Sequence, residues 1–128
     1  MVPGMVIARD IMHRHVVGVS LTTTAAAARS LAGSSAVSLM PVIEDNRLTG
    51  VILSHDLIGI EADSSIAHAV RQPIFTKEQD GVDKASKIMV TNNVERLPVV
   101  KDDLSMICVG MITSTDIVRS LKNTNKIQ

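Results

Sequence analysis

The chain has 128 residues, 45% hydrophobic and 20% charged, and its thirteen basic and thirteen acidic side chains cancel. That length suits one ordinary domain or two very small ones, and folding at this size buries roughly two-thirds of the unfolded surface. The composition is too apolar for a disordered chain, and zero net charge counts against a general electrostatic grip on nucleic acid or an anionic membrane.

In chain order, the first expected element is a short strand at residues 16–20. Thr22-Thr23-Thr24 then precede Ala25, Ala28, Leu31 and Ala32, whose spacing puts them on one helical face, with Thr24 as N-cap and Gly33 as stop. A hairpin follows, with strands at 39–43 and 50–53 around the turn formers Glu44-Asp45-Asn46. Ser54 is placed to cap a second helix through Leu57 and Ile58. The stretch 61–73 reads as a linker, partly helical from Asp63 or Ser64 to the break at Pro73. The series then recurs. A strand at 74–77 leads to a helix carrying Val82, Ala85, Ile88 and Met89 between Asp80 and Asn92-Asn93. Strands at 97–100 and 109–113 flank Asp102-Asp103, and a closing helix from Ser114 carries Ile117, Val118 and Leu121. The residues after Leu121 are expected to form a polar, frayed tail.

The chain repeats itself, and the repeat decides the architecture. Residues 40–58 read MPVIEDNRLTGVILSHDLI and residues 97–118 read LPVVKDDLSMICVGMITSTDIV. Each opens on an apolar residue and Pro-Val (Pro41-Val42, Pro98-Val99). Each passes an acidic turn, then runs from Gly50 to Asp56 or from Gly110 to Asp116 at the same spacing, and the second turn carries three extra residues. The expected division is a first repeat at 1–60, a linker at 61–73, a second repeat at 74–122 and a tail at 123–128. Each copy is β-α-β-β-α and marginal alone, so two packed together share a core.

These residues resemble a known family. Arg9-Asp10-Ile11-Met12 near the start, the apolar-Pro-Val strand, the acidic turn, Gly-apolar-apolar-Thr/Ser-x-x-Asp and a closing helix are similar to the cystathionine-β-synthase (CBS) domain. Two in tandem resemble a Bateman module, over roughly residues 8–122. The resemblance implies an α+β fold of two repeats packed sheet to sheet about a pseudo-twofold axis, with two equivalent clefts. It implies AMP, ADP, ATP or S-adenosylmethionine as ligands, a homodimer, and regulation of a partner protein rather than catalysis.

Carried over residue by residue, Thr113-Ser114-Thr115-Asp116 matches the family's ribose signature. A carboxylate accepts hydrogen bonds from both ribose hydroxyls, and charge-assisted bonds are about twice as strong as neutral ones. Ser, Thr and Asp at a helix start are also ordinary caps, and from spacing alone that reading leads. Arg96 stands where family members place a base on the phosphates, and a guanidinium holds phosphate through two parallel bonds. Val94, Leu97, Pro98, Met111 and Ile112 are candidates for an aliphatic slot around the purine, with core packing as the other role. Thr76 offers main-chain groups to the adenine edge. The first repeat departs from the pattern: Leu53 replaces the Thr, with Ser54 adjacent, and Leu39 replaces Arg96. Asp56, with Ser54, Met40 and Pro41, is therefore expected to form a weaker second site.

Other constellations carry less. His13-Arg14-His15 would place two imidazoles on opposite sides of a strand, and no carboxylate or Cys pattern completes a metal site. The one cysteine, Cys108, excludes a disulfide within the chain and reads as an apolar filler. No Gly-rich phosphate loop and no Gly-x-Ser-x-Gly is present, so no catalytic apparatus or cofactor is expected. No apolar run approaches the roughly 18 residues of a membrane span, and no signal peptide stands at the start, so a cytoplasmic protein without membrane contact is expected. With one Phe and no Trp or Tyr, a purine must be gripped by aliphatic side chains and sugar contacts. Residues 1–64 hold four bases against six acids and residues 65–128 nine against seven, a small bias toward an anionic ligand in the second repeat. The expected function is a regulatory module sensing adenine nucleotides. The alternative is a ligand-free dimerisation or scaffolding module; nucleic-acid binding ranks third and an enzyme last.

Overall fold

The computed structural model describes residues 6–35 and 37–127, with the backbone alone at 34–35 and 123–127. The elements are α1 (Ala8–Ile11), α2 (Ala25–Ser35), β1 (Leu39–Glu44), β2 (Arg47–Leu53), β3 (Thr76–Lys77), α3 (Val82–Asn92), β4 (Arg96–Val100), β5 (Cys108–Thr113) and α4 (Ser114–Ile127), with 3-10 turns at Ser54–Leu57 and Ala67–Ala69. The fold is α+β, as expected.

The chain forms two compact units. One comprises residues 17–74. In it β1 and β2 pair as an antiparallel hairpin with Leu39 opposite Leu53, Pro41 opposite Val51 and Val42 opposite Gly50. Asp45 (φ 51°) and Asn46 (φ 66°) are both left-handed, the mirror-image turn that matches strand twist in a two-residue loop. Val19 adds one parallel bridge to Val42, so the strand expected at 16–20 is reduced to a single pair. Thr24 accepts the Ala27 N–H at 3.2 Å and caps α2, which runs through Gly33 to Ser35. Val19, Ala25, Ala28, Ala32, Met40, Val42, Ile52, Leu57 and Ile66 form the core.

The other unit joins the described residues up to Val16 to the chain from Phe75 onward. Its sheet has the order β3-β4-β5, with β3 parallel to β4 and β5 antiparallel to it. Arg96 lies opposite Thr113, Pro98 opposite Met111 and Val99 opposite Gly110. This is the register of the first hairpin, and both hairpins slip by one residue just beyond the glycine pair. α3 ends on Asn93 in the left-handed conformation (φ 53°), its N–H bonded to the Met89 and Val90 carbonyls.

The helix expected after the first hairpin is a correction. Ser54–Leu57 makes one 3-10 turn, whereas α4 extends from Ser114 to Ile127. Gly59 takes φ 86° just beyond that turn, and the Arg29 side chain donates to the Leu57 and Ile60 carbonyls. Nothing interrupts the chain after Asp116 in the same way.

A lead segment precedes each repeat and threads onto one hairpin. Val82 N–H donates to the Val6 carbonyl at 3.0 Å, and Ala8 N–H to the Asp80 carbonyl at 2.8 Å. In the other unit Ala25 N–H donates to Ser64 at 2.8 Å, and Ile66 N–H to Thr23 at 3.0 Å. Residues 6–13 are thus the counterparts of 64–71. The first lead lies with the second repeat's hairpin and the second lead with the first.

Candidate functional site

Each hairpin delivers its last strand into a turn that carries an aspartate. At β5–α4 the Thr113 hydroxyl accepts the Asp116 N–H at 3.2 Å, and the Asp116 Oδ2 accepts the Thr113 N–H at 3.0 Å and its hydroxyl at 2.9 Å. This reciprocal capping satisfies donors that the first helical turn leaves without partners. The Ser114 N–H donates to the Glu95 carbonyl at 2.8 Å, tying the turn to β4. Asp116 is buried, its side chain 4% exposed.

Its other oxygen takes a partner from far along the chain. His13 Nε2 lies 2.8 Å from Oδ1, with the imidazole 58% exposed, and Arg119 stands 3.8 Å from the same oxygen. His13 is held there by its backbone, which exchanges two 2.8 Å hydrogen bonds with Met111. Gly110 permits the approach: a Cβ there would stand 2.6 Å from the His13 carbonyl oxygen. In the sequence His13 suggests only a metal ligand. Its partner lies 103 positions away, and no local spacing signals such a pair.

The Asp56 site is built on the same frame with different side chains. The Ser54 N–H donates to the Ser38 carbonyl at 2.9 Å, and the Leu53 N–H bonds to the Asp56 carboxylate, but no hydroxyl stands at that position. Arg71, the counterpart of His13, donates Nε to Oδ2 at 2.6 Å and Nη2 to Oδ1 at 2.8 Å. His55 lies 3.4 Å away. The Arg71 hydrogen bonds are the main reason the Asp56 carboxyl is held below its ordinary value, against a smaller opposing effect of burial. Arg71 exchanges backbone bonds with Val51, and a Cβ on Gly50 would stand 2.6 Å from the Arg71 carbonyl oxygen. Ser54 also borders an open hollow of about 360 Å³ lined by Ala32, Gly33, Val37 and Ser38.

The remaining candidates divide. Arg96 is opposite Thr113 across the β4–β5 pair, and its Nε is buried without a hydrogen-bond partner among the described residues. Val94 is half-buried, and Ser114 is exposed at the helix start. Leu97 and Ile112 are 0% exposed and Met111 7%, and Pro98 is buried, so within the chain all four pack inward. Met40 and Pro41 are likewise buried. Thr76 is buried, and its hydroxyl donates to Asp80 at 3.0 Å. Burial raises the Asp80 carboxyl, but the Lys77 N–H, the Thr76 hydroxyl and Lys84 together bring it below the ordinary value. Burial pushes the Cys108 thiol up, which suits a filler and not a nucleophile. Among the described residues no group of three or more His, Cys, Asp or Glu is placed to hold a metal ion, and no helix is long and apolar enough to cross a membrane.

Comparison with known proteins agrees with this frame. The family model for the CBS domain matches twice, at residues 8–63 and 64–123. An inosine-5'-monophosphate dehydrogenase of Thermoplasma acidophilum is 34% identical over 113 residues, covering 88% of this chain and 23% of that protein. The chain therefore spans about a quarter of the length of that relative. Among solved structures, a CBS domain pair/ACT domain protein from Thermotoga maritima aligns with a TM-score of 0.81 at 20% identity, over 92% of this chain and 98% of that one. The CBS domain pair of protein MJ0100, in complex with 5-methylthioadenosine and S-adenosyl-L-methionine, aligns at 0.76 and 22% identity over 93% and 98%. With both repeats matched almost end to end, the chain belongs to the CBS-domain family and carries two such domains in tandem.

Proposed function

We propose that the chain is a regulatory module that binds an adenosyl ligand at the site built on Asp116 and passes its bound state to a partner protein. AMP, ADP and ATP come first among the ligands and S-adenosylmethionine second. The observation that carries this reading is the Asp116 carboxylate, buried beside the Thr113 hydroxyl at a strand-to-helix turn, with the Arg96 side chain opposite in the register. A sugar diol and a phosphate are the groups these side chains suit, and a phosphate oxygen would answer the unpartnered Arg96 Nε. The adenosyl ligands of the solved neighbour support the same class. A ligand of this kind regulates only if it binds one arrangement of the chain better than another. The module is read as non-catalytic and cytoplasmic. A homodimer is part of the proposal, since Val90, Val118 and Leu121 are 79%, 51% and 53% exposed; sedimentation at two protein concentrations tests it.

The test of ligand binding is calorimetric titration with AMP, ADP, ATP and S-adenosylmethionine, beside a melting-temperature panel. Asp116→Asn should weaken the preferred ligand by a factor of about ten or more, the scale of a hydrogen bond to a charged group. Undiminished binding by that variant, or no response to any of the four, overturns the reading.

One observation favours a second reading, a ligand-free dimerisation or scaffolding module. Thr113, Asp116 and His13 already satisfy one another within the chain. Mass spectrometry of the purified protein separates the two, since a retained nucleotide is expected only of the first.

A further inference from the structure

We propose that the base delivered by each lead segment decides which aspartate accepts a ligand: Arg71 closes the Asp56 site, whereas His13 leaves the Asp116 site open. The chain then binds one adenosyl ligand, not two. This inference rests on the adenosyl reading above and assigns its stoichiometry to two residues outside the ribose signature.

The two bases occupy one structural position. Each stands at the same place in its lead segment, six residues after the bridge to the start of the repeat's first helix (Ile7 to Gly81, Ser65 to Thr24), and each exchanges two backbone bonds with the residue after a hairpin glycine (Met111 for His13, Val51 for Arg71). Their side chains meet the aspartate differently. The Arg71 fork takes both carboxylate oxygens, at 2.6 and 2.8 Å. A guanidinium stays charged at any working pH, and its planar fork matches a carboxylate. A ribose diol offers only neutral donors, so displacing the fork breaks two charge-assisted bonds, although the Arg71 side chain is 50% exposed and its charge can turn to water. His13 reaches a single oxygen of Asp116 through one nitrogen and is more than half exposed. A sugar hydroxyl can replace that one bond, and the freed imidazole turns to water. The other charged groups at the two carboxylates, Arg119 at 3.8 Å and His55 at 3.4 Å, sit too far out to repeat the Arg71 contact. The absence of a hydroxyl at Leu53 weakens the Asp56 site, but the fork is what blocks it.

The experiment is calorimetry of the full chain with adenosine, which lacks a phosphate and so takes Arg96 out of the comparison. Wild type should bind one adenosine per chain and Arg71→Met two, and Arg71→Met with Asp56→Asn should return to one. His13→Arg, which carries the fork to the other site, should weaken the wild-type event more than about tenfold, while His13→Gln retains it. Melting curves establish that each variant is folded, and the His13→Arg and Arg71→Met arms test the idea independently. If wild type and folded Arg71→Met each bind one adenosine, or wild type already binds two, or folded His13→Arg binds as wild type does, the inference falls and the adenosyl reading stands. If neither wild type nor any variant binds adenosine, the inference falls, and the titrations with AMP, ADP, ATP and S-adenosylmethionine decide the adenosyl reading separately.

Discussion

Thr113 and Asp116 cap each other: each backbone N–H is answered by the other's side chain, at 3.0 and 3.2 Å. The pair therefore starts α4 and shapes the carboxylate in one stroke. Thr113→Ala should cost about 1 kcal/mol of stability, the usual worth of an N-cap, and should also weaken adenosyl binding. Thr113→Ser restores the oxygen and should recover both. Urea denaturation and calorimetry on the same samples check this, and full stability in Thr113→Ala would show the cap to be idle.

The Asp56–Arg71 pair makes an acid-limb prediction. Hydrogen bonds from Arg71 hold the Asp56 carboxyl below its ordinary 3.8. A carboxyl depressed in the folded state stabilises above its unfolded value, and that contribution fades as pH falls through the folded one. Arg71→Met should thus melt below wild type at neutral pH, and the gap should close below about pH 4. A gap that persists unchanged to low pH would assign the loss to packing of the arginine stem.

The glycines before the bridging residues are predicted to resist substitution. A Cβ at Gly50 or Gly110 would meet a backbone carbonyl oxygen at 2.6 Å, a contact no rotamer change relieves. Gly110→Ala and Gly50→Ala should each lose about 1–3 kcal/mol, the scale of overpacking. Each should also shift the base pinned on the neighbouring strand. Denaturation measures the first effect, and NMR shifts of the His13 ring in Gly110→Ala report the second.

Leu97 and Ile112 test the difference between slot and core. Both are 0% exposed, so Leu97→Ala or Ile112→Ala should cost about 2–5 kcal/mol. Leu104, at 98% exposed, should change stability by less than about 0.5 kcal/mol on truncation. Equal effects at the three positions, read from denaturant midpoints, would contradict the burial.

Much of the frame is legible in the sequence because it rests on short-range rules. Pro41-Val42 and Pro98-Val99, with a glycine and an aspartate at equal spacing, predict two matching hairpins, and the structure adds their common register, Leu39 opposite Leu53 and Arg96 opposite Thr113. Thr24 is recognisable as a cap from its neighbours alone. The closing element of the first repeat was not legible: Ser54, Leu57 and Ile58 fit a helix start, but Gly59 at positive φ and the Arg29 side chain end it after one turn. The strand expected at 16–20 shrank to one bridge for a similar reason, since only Val19 faces a partner that β1 offers.

By itself the sequence determined the repeat, the two hairpins, the aspartate after each and the inequality of Thr113 with Leu53, because each depends on residues within a few positions of one another. Only the tertiary structure decided which base rests on which aspartate. His13 lies 103 residues from Asp116 and Arg71 lies 15 from Asp56, and each pair exists because a lead segment is threaded onto a hairpin at a glycine. Spacing encodes contacts between neighbours on one element. Contacts between distant segments follow from the route of the chain, which packing selects as a whole.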